Sequence, residues 1–395
     1  MNELPKLPRR LEKCHNIHDL RRLAKRAVPI PIYDHIAGGA DDEVSLTDNE
    51  TAFGQYALVP RQCAGLDLEA VDMSITVLGQ HLQWPVICAP WGMQSLVHRD
   101  GEVAMAQEVH RTGSAFTLSG AAEVSIEELS RQVTGPCFFN LIPTASRDMM
   151  ESLIERARDA GFSALVVTVD APAHGNRERD RRNGLDFPPS FSLASWLSIA
   201  SRPRWWLDKF GYQMNLANYT PYLSSPERDL SWLFDQFRCA KLDWDTMGWI
   251  ARTWGGPIAI KGVLSPDDAR RSVDAGVSAI IVSNQGARHF DSSPSPLSVL
   301  PEVCDAVGTQ VEVILDGGIR RGNDALKAIA IGATAVSTAR PFAYGLAAAG
   351  RQGAARALDI LKSEMQRDMC FLGARCLGDL TRNDLRARPT VSVTD

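Results

Sequence analysis

From residue 84 onward, short apolar runs rich in β-branched residues alternate with longer segments of helical period. This alternation is typical of parallel strands joined by crossover helices. The runs expected to form strands are PVICAP (85–90), SAFTLSG (114–120), PCFFNL (136–141), SALVVTVD (163–170), PIAIKG (257–262), SAIIVSN (278–284), VEVILDGG (311–318) and ATAVSTAR (333–340). Eight such strands predict an α/β fold of the closed (β/α)8, or TIM barrel, type.

The segments between these runs carry helix start and stop signals. Several open with Ser or Asp at the N-cap position and close at Gly, as in SIEELSRQV (125–133) and SRDMMESLIERARDAG (146–161). An open doubly wound sheet is the structural alternative. It is disfavoured because APWGMQSLVH (89–98) stands after the first strand, where that fold carries a Gly-rich turn.

The predicted barrel spans residues 85–385, interrupted by one insertion and flanked by a segment at each end. Residues 1–84 are expected to form a helical N-terminal extension and 386–395 a C-terminal tail, and 185–245 are a long insertion after the fourth strand. Between 195 and 215 the insertion mixes tryptophans with basic residues, which suits a membrane interface. A flap over the active site and an oligomer contact are the alternatives.

Composition narrows the class of protein. The chain has 395 residues, of which 45% are hydrophobic and 23% charged, so it can bury a large core. Its formal net charge of -5 argues against nucleic-acid binding, which needs a basic surface. The eight cysteines are scattered without zinc-site spacing, and no apolar run is long enough to span a membrane. We therefore expect no metal site and a cytoplasmic protein, or one held peripherally on the inner face of the membrane.

Barrel enzymes carry their active sites on the loops after the strands, and the loops after the seventh and eighth strands commonly bind phosphate. Here those loops are DGGIRRGND (316–324) and STARPF (337–342), which combine glycines with Arg320 and Arg340. A tight turn with solvated arginines is the structural alternative. The position of the arginines favours a phosphorylated cofactor or substrate.

Lys261 ends an otherwise apolar strand. A lysine that points into a barrel mouth needs a partner, because an unpaired buried ammonium would deprotonate. The anionic edge of a reduced flavin is one such partner. Schiff-base chemistry and a surface lysine are the alternatives.

Four motifs, SNQGARHFD (283–291), TVDAP (168–172), PIAIKGV (257–263) and DGGIRRG (316–322), resemble the flavin-mononucleotide (FMN) 2-hydroxy-acid dehydrogenases and oxidases. The resemblance runs from about residue 15 to 385. The membrane-associated bacterial lactate and mandelate dehydrogenases of this family also carry an RPRW-type segment followed by LAN, seen here within 202–218.

The resemblance implies FMN as the cofactor and assigns its contacts by position. Carried over, the cofactor-binding residues are Ala89, Pro90, Gly92, Ser119, Asn140, Thr168, Lys261, Ser283, Asp316, Gly317, Gly318, Arg320, Ala339 and Arg340. The carboxylate of a small-molecule substrate would be held by Arg177 and Arg288, since a guanidinium can grip a carboxylate with two hydrogen bonds. For Arg177, a solvated member of a charge run is the alternative.

The sequence departs from the family at positions that bind the substrate or accept its proton. Gln285 stands where the family has its catalytic histidine, and glutamine cannot accept a proton at neutral pH. His35 and Ile142 replace two substrate-binding tyrosines, and Ala339 replaces a glycine that the phosphate site should not require. The substrate site is therefore expected to be rebuilt.

Asp170, which in the family holds the basic imidazole, has lost that partner. We expect it to pair with His35, His174, His289 or Arg177. The preferred hypothesis is that a displaced imidazole, His35 first and His289 second, accepts the substrate proton; for each, an ordinary packing residue is the alternative.

The sequence thus predicts an FMN-dependent oxidoreductase that oxidises a 2-hydroxy acid. An FMN enzyme of altered reaction type, such as amine or other acid oxidation or nonredox flavin chemistry, and an inactive flavin-binding homologue remain alternatives. Gly92 leans toward a quinone over oxygen as the electron acceptor. The family resemblance implies a homo-oligomer, usually a tetramer.

Overall fold

The protein is described here by a computed structural model, which covers residues 8–185, 190–223, 228–238 and 240–388. The strands are β1 (Tyr56–Leu58), β2 (Ile75–Val77), β3 (Gln80–Leu82), β4 (Val86–Cys88), β5 (Phe116–Ser119), β6 (Cys137–Leu141), β7 (Ala164–Thr168), β8 (Ile258–Val263), β9 (Ala279–Val282), β10 (Glu312–Asp316), β11 (Ala335–Thr338) and β12 (Leu385–Ala387).

The helices are α1 (Arg9–Glu12), α2 (Ile17–Ala27), α3 (Ile30–Ala37), α4 (Val44–Thr51), α5 (Gln94–Val97), α6 (Gly101–Arg111), α7 (Ile126–Gln132), α8 (Arg147–Asp159), α9 (Glu178–Asn183), α10 (Leu193–Ala200), α11 (Pro203–Asp208), α12 (Leu230–Arg238), α13 (Trp244–Trp254), α14 (Pro266–Asp274), α15 (Pro296–Val307), α16 (Gly322–Ile331) and α17 (Arg340–Leu372). Short 3-10 helices occur at Ala52–Gln55, Leu68–Ala70, Thr220–Leu223, Gln285–Ala287, Leu377–Asp379 and Arg382–Asp384.

Strands β4 to β11 close into a barrel of eight parallel strands, in the order β10-β11-β4-β5-β6-β7-β8-β9. Each coincides with one of the eight apolar runs of the sequence, with β8 extending one residue past its run to Val263, so the predicted (β/α)8 fold is confirmed. The runs are continuously apolar because each strand is buried on both faces. Alternate residues such as Ile87, Phe138, Val166 and Ile281 form one cluster inside the barrel, and the other faces pack in the main core with the helices.

The predicted caps hold three of the barrel helices. The hydroxyls of Ser125, Ser146 and Ser265 each accept a hydrogen bond from the backbone N–H three residues later, at the start of α7, α8 and α14. These bonds satisfy backbone donors that a helix start otherwise leaves open.

The N-terminal extension contains α1 to α4 and also three short strands. The β2–β3 hairpin closes the bottom of the barrel, since Val77, Leu78 and Leu82 belong to the interior cluster. Strand β1 pairs antiparallel with β12. Residues 386 and 387, expected in the tail, are therefore part of this pairing, and 389–395 lie outside the described residues.

The insertion between β7 and β8 contributes α10, α11 and α12. Residues 186–189, 224–227 and 239, which belong to it, fall outside the described residues. Within the described ranges, no helix combines the length and apolar character needed to cross a bilayer.

Candidate active site

A row of polar side chains follows the carboxyl ends of four neighbouring barrel strands. Ser119 is in register with Asn140, and Thr168 with Lys261. The Asn140 amide joins the two pairs, because its Nδ2 donates to the Thr168 hydroxyl at 2.8 Å. The structure thus brings together the four side chains expected to contact a flavin ring, along one side of the barrel mouth.

Lys261 is buried and paired within the protein. Its Nζ donates to Ser283 Oγ at 3.0 Å and lies 3.1 Å from an oxygen of Asp316, to which Ser283 also donates. Burial lowers the pKa of Lys261, but the carboxylates of Asp316 and Asp170 outweigh it, so the pKa is raised overall. A lysine held charged is a poor Schiff-base nucleophile. The sequence analysis expected a flavin to be the partner of this ammonium, whereas in the structure Asp316 is its counterion.

Asp316 was expected to contact phosphate. Its carboxylate is instead engaged by Lys261 and Ser283. Its negative charge would repel a phosphate, so its place in the structure is that of a counterion for the lysine.

Two buried arginines lie after the last two barrel strands. Arg320 pairs with Glu50 at 2.8 Å, and its Nε is buried without a hydrogen-bond partner among the described residues. Arg340 donates to the backbone carbonyls of Ile36, Gly38 and Gly286 at 2.8–3.1 Å. Burial lowers the pKa of Arg340 to about 10. Buried cations held mainly by backbone carbonyls favour binding of an anion.

The backbone around these arginines is closely packed. Gly317 and Gly318 have positive φ angles of 108° and 76°, and a Cβ on Gly318 would lie 2.0 Å from the carbonyl oxygen of Asn49. A Cβ on Gly92, in the loop after β4, would lie 2.4 Å from the carbonyl oxygen of Ala121. Only glycine fits at these positions.

Two other predicted cofactor positions lie in the same region. Ala89, which is followed by Pro90, donates its N–H to Thr338 O at 3.0 Å, so the loop after β4 adjoins the end of β11. Ala339 caps α17 with φ -115°, an angle that any residue adopts. The alanine found in place of the family's glycine is therefore not strained.

His35 pairs with a carboxylate that the sequence analysis missed. Its Nδ1 lies 2.9 Å from Asp180 Oδ2, and Arg177 and Arg288 approach the same oxygen at 3.9 and 4.0 Å. Arg288 also donates to the His35 carbonyl at 2.6 Å. The two arginines expected to hold the substrate carboxylate therefore meet around Asp180 and His35.

The electrostatics of this group are coupled. Burial lowers the pKa of His35, opposed by Asp180 and reinforced by Arg288 and Arg177. Burial raises the pKa of Asp180, but His35 and the two arginines outweigh it and lower the pKa overall. Burial also lowers the pKa of Arg288, and its neighbours Arg177 and Arg340 lower it further. An added anion would relieve this excess of positive charge.

Asp170 does not pair as expected. Both carboxylate oxygens are buried, and neither has a hydrogen-bond partner within the described part of the chain. Of the four expected partners, His35 binds Asp180, His289 Nδ1 bonds to Ala173 O at 2.9 Å, and the His174 ring lies against Phe234. Arg177 approaches Asp180. The prediction of a new partner for Asp170 was wrong, because the His35 imidazole pairs with Asp180 and the Arg177 guanidinium approaches the same carboxylate.

Gln285 lies in a strained turn after β9. Gln285, Gly286 and Ala287 have successive φ angles of 51°, 62° and 58°, and the first and last are not glycine. Left-handed non-glycine residues cluster at functional sites. The Gln285 side-chain oxygen is buried without a hydrogen-bond partner among the described residues. Ile142, which stands where the family has a substrate-binding tyrosine, lies beside Gly120 near the ends of β5 and β6.

Asp180 and Glu50 are the two functional candidates that the sequence analysis missed. Asp180 lies in the run RERDRR, which reads as a solvated charge cluster. Glu50 lies on α4, far from the barrel in sequence. The spacing of Arg177 and Asp180, three residues apart, was the one local signal that these groups meet.

A model of the family described as FMN-dependent dehydrogenase matches residues 24–387 of this chain. The chain belongs to the FMN-dependent dehydrogenase family. FMN is therefore its cofactor, and it is an FMN-dependent oxidoreductase of the 2-hydroxy-acid oxidase and dehydrogenase type. The family membership predicted from the motifs is confirmed.

Similar proteins cover nearly the whole chain. Glycolate oxidase 1 of Oryza sativa subsp. indica is 37% identical over 369 residues, 93% of this chain and 94% of that protein. A putative L-lactate dehydrogenase of Mycobacterium tuberculosis (strain ATCC 25618 / H37Rv) is 37% identical over 375 residues, 94% and 89% of the two chains.

Solved structures agree with this family. A crystal structure of the monotopic membrane protein (S)-mandelate dehydrogenase superposes with a TM-score of 0.90 at 32% identity, over 95% of this chain and 100% of that one. A mandelate oxidase with (S)-2-phenylpropionate gives a TM-score of 0.80 at 33% identity, over 95% and 99%.

The residues of this chain fit FMN. Three features suit a phosphate group: Arg320 Nε, which makes no hydrogen bond to the part of the chain that the structure describes, the Arg340 guanidinium, and the glycine-only backbone at Gly318. The row that ends in the charged Lys261 suits a flavin ring, whose reduced form carries negative charge.

Proposed function

We propose that the chain oxidises a 2-hydroxy acid by hydride transfer to FMN, at a site that works without the family's catalytic histidine. The observation that supports this is the meeting of Arg177 and Arg288 around one carboxylate at the barrel mouth. FMN supplies the two-electron oxidant when bound. The side chains of this chain bind and orient the substrate and manage its proton.

Each side chain has a distinct part in this proposal. Arg177 and Arg288 bind the substrate carboxylate through charge-assisted hydrogen bonds. Lys261 keeps its positive charge where negative charge develops during the reaction. Gln285 can donate or accept a hydrogen bond but cannot take the proton. The sequence analysis named His35 and His289 as candidate proton acceptors, and burial lowers the pKa of His289 to about 4, which weakens it as a base.

The test is anaerobic mixing of the FMN-loaded protein with (S)-mandelate, L-lactate and glycolate while the visible absorbance of oxidised flavin is followed. We expect at least one acid to bleach the flavin. Replacing Arg288 by Lys keeps the charge but loses the two-pronged geometry, so KM should rise more than about tenfold. If no acid of the panel bleaches the flavin, an altered reaction type or a flavin-binding protein without catalysis replaces this proposal.

The insertion supports a second element of the proposal, peripheral contact with an anionic lipid surface. Helix α10 buries Ser195, Ser198 and Ile199 but exposes Leu193, Trp196 and Leu197, whereas a helix on a protein surface in water usually exposes polar side chains. We call the following residues the insertion face: Leu193, Trp196, Leu197, Trp206, Leu207 and Phe210, each at least 51% exposed. Arg202 lies between α10 and α11, Arg204 lies in the first turn of α11, and both would meet anionic headgroups.

Co-sedimentation with vesicles that contain phosphatidylglycerol tests this contact. We expect the full chain to bind and Phe210→Ser to weaken binding about threefold or more. Phe371→Ser is the matched control, because Phe371 is also exposed, at 63%, but lies on α17 outside the insertion. Equal binding of both variants to the vesicles would contradict a lipid contact. Failure of the full chain to sediment with the vesicles would also contradict it and would favour a flap or an oligomer contact.

A lipid contact favours a quinone over oxygen as the electron acceptor, and it favours a location on the inner face of the membrane over the bulk cytoplasm. Comparing the reoxidation of reduced flavin by a soluble quinone and by oxygen distinguishes the two acceptors.

We propose a homo-oligomer, a tetramer in the first instance, which light scattering of the detergent-solubilised protein would measure.

A further inference from the structure

Asp170 is a buried carboxylate at the mouth of the barrel. It lies two residues beyond the end of β7, and both of its oxygens are shielded from solvent without a hydrogen bond to any described residue. A buried polar group in this condition costs free energy of unfolding, typically about 1–3 kcal/mol or more for a charged group. Such groups are rare in folded proteins, and a catalytic role is one of the few reasons for them.

The position of Asp170 is set by the neighbouring strand β8. Val169 donates its N–H to the Lys261 carbonyl at 2.8 Å, and a Cβ on Gly262 would lie 2.5 Å from Asp170 Cβ and Cγ. The absence of a side chain at Gly262 therefore makes room for Asp170. The carboxylate is placed next to Lys261, the group expected beside the reacting part of the flavin.

Burial raises the pKa of Asp170 to about 6, with Lys261 acting against this shift and Asp316 adding to it. Free imidazole in proteins has a pKa near 6.5. The carboxylate is thus nearly as strong a base as the histidine that this chain lacks, and it is ionised at neutral pH. A general base works best when its pKa lies close to the operating pH.

We propose that Asp170 itself accepts the substrate proton, in place of the histidine that Gln285 replaces. This inference rests on the proposed oxidation of a 2-hydroxy acid. In the step, the O–H bond of the substrate breaks and its proton bonds to a carboxylate oxygen of Asp170. The Cα–H bond breaks, its hydrogen leaves with both electrons as hydride to the family's flavin, and the C–O bond becomes the C=O bond of a 2-oxo acid.

His35 is the competing base, and the structure separates it from Asp170. The imidazole is held by Asp180, and the two arginines that bind a carboxylate surround that pair. His35 therefore belongs to the carboxylate end of the substrate. Asp170 belongs to the Lys261 end, where hydride leaves.

The experiment measures the rate of flavin reduction against pH, with whichever of (S)-mandelate, L-lactate and glycolate reduces the holoenzyme. Wild type should lose rate as the pH falls below about 6. Asp170→Asn should be slower by about a hundred- to ten-thousand-fold and should lose this dependence on pH. Asp170→Glu should keep a dependence on pH at a shifted midpoint, because a carboxylate remains.

Two control variants identify the titrating group. Glu102 is another buried carboxylate, with a pKa raised by burial to about 7, and it accepts the backbone N–H groups of Gln94 and Glu123 on the loops after β4 and β5. Glu102→Gln should leave the loss of rate below pH 6 in place. His35→Asn should raise KM, because it disturbs the arginines, and should also keep the pH dependence of the rate.

Three results would overturn the inference. In the first, Asp170→Asn keeps the pH dependence of wild type. In the second, His35→Asn abolishes it, which would make His35 the base. The third uses no turnover: the thermal midpoint of the flavin-loaded protein should differ between Asp170→Asn and wild type more at pH 8 than at pH 4, and an equal difference means that Asp170 does not titrate in this range.

Failure of the proposed function looks different. If none of the three acids reduces the flavin of wild type, the proposed oxidation of 2-hydroxy acids fails. The comparison of thermal midpoints still decides whether Asp170 titrates between pH 4 and pH 8. If wild type oxidises an acid and Asp170→Asn does so at the same rate, the proposed function stands and Asp170 is not its base.

Discussion

Single side chains at the barrel mouth show two ways of keeping a charge inside a protein. Lys261 and Asp316 form an ion pair, and Asp180 is paired with His35 and faced by two arginines. The Asp170 carboxylate accepts no hydrogen bond within the described ranges of the chain. The first arrangement stabilises the fold, and the second destabilises it in exchange for a reactive carboxylate, as active sites often do.

Asp170→Asn should stabilise the folded protein at neutral pH. The pKa of Asp170 is raised from its ordinary value near 3.8 to about 6, mainly by burial, so the folded state binds a proton more tightly than the unfolded chain. Its charge therefore lowers stability progressively as the pH rises from about 4 to 6. Removing it should add on the order of 2 to 3 kcal/mol at pH 8 and little at pH 4. Urea unfolding of the flavin-loaded protein measures both values.

Asp180→Asn should have the opposite effect. Although burial raises the pKa of Asp180, His35 and the arginines lower it overall, so its stabilisation is present at neutral pH and is lost as the pH falls through the acidic range below its ordinary pKa. Loss of this buried partner should cost on the order of 3 kcal/mol at pH 7. Unfolding at pH 7 and pH 3 checks the sign, and a larger loss at pH 3 would contradict it.

Among the elements, the insertion is held to the barrel by buried polar contacts in addition to apolar side chains such as Leu216 and Leu233, which belong to the main core. Lys209 donates to the carbonyl of Ser95 and lies 2.7 Å from Asp208, which accepts the N–H of Arg99 at 2.9 Å. Tyr212 donates to Glu123. Because these anchors lie on the loops after β4 and β5, they fix the insertion face pointing outward.

Tyr212→Phe should loosen the insertion without unfolding the barrel. The change removes a hydrogen bond to Glu123, a carboxylate whose pKa burial raises. Limited proteolysis or hydrogen exchange should become faster over residues 193–212, by about fivefold for a loss of about 1 kcal/mol. Tyr219→Phe is the matched control, since the Tyr219 hydroxyl has no partner among the described residues. Equal protection of both variants would show that Tyr212 is not an anchor.

Over the whole molecule, cofactor binding and folding are linked through residues far apart in the chain. Arg340 at the start of α17 bonds to the end of α3 and to the loop after β9, and Arg320 pairs with Glu50 on α4. The N-terminal extension therefore completes the barrel mouth. A ligand bound there connects parts that the barrel alone would leave separate.

Removal of FMN should lower the thermal midpoint. A ligand present at a hundred times its Kd stabilises a protein by about 2.7 kcal/mol. Arg340→Met should remove most of the stabilisation that added FMN restores, because it deletes a buried cation of the phosphate site. Arg270→Met, on the exposed face of α14 where Arg270 pairs with Asp267, is the control and should respond to FMN like wild type. An equal response of both variants would exclude Arg340 from the phosphate site.

The sequence alone determined the architecture and the family. Hydrophobic runs, serine caps and ordered motifs are local signals, and each of the eight strands and the capped helices follows from residues adjacent in the chain. The row of Ser119, Asn140, Thr168 and Lys261 was also predictable, because parallel strands of a barrel end at one rim.

The partners of charged groups were decided only by the tertiary structure. Whether His35 meets Asp170 or Asp180 depends on how α3 and α9 pack over the barrel, and these residues are separated by more than a hundred positions in the sequence. The same packing left Asp170 without a hydrogen bond to any residue that the structure describes and gave Lys261 its counterion. Charge pairing depends on distances of a few ångströms and on burial, and the order of residues along a chain specifies neither.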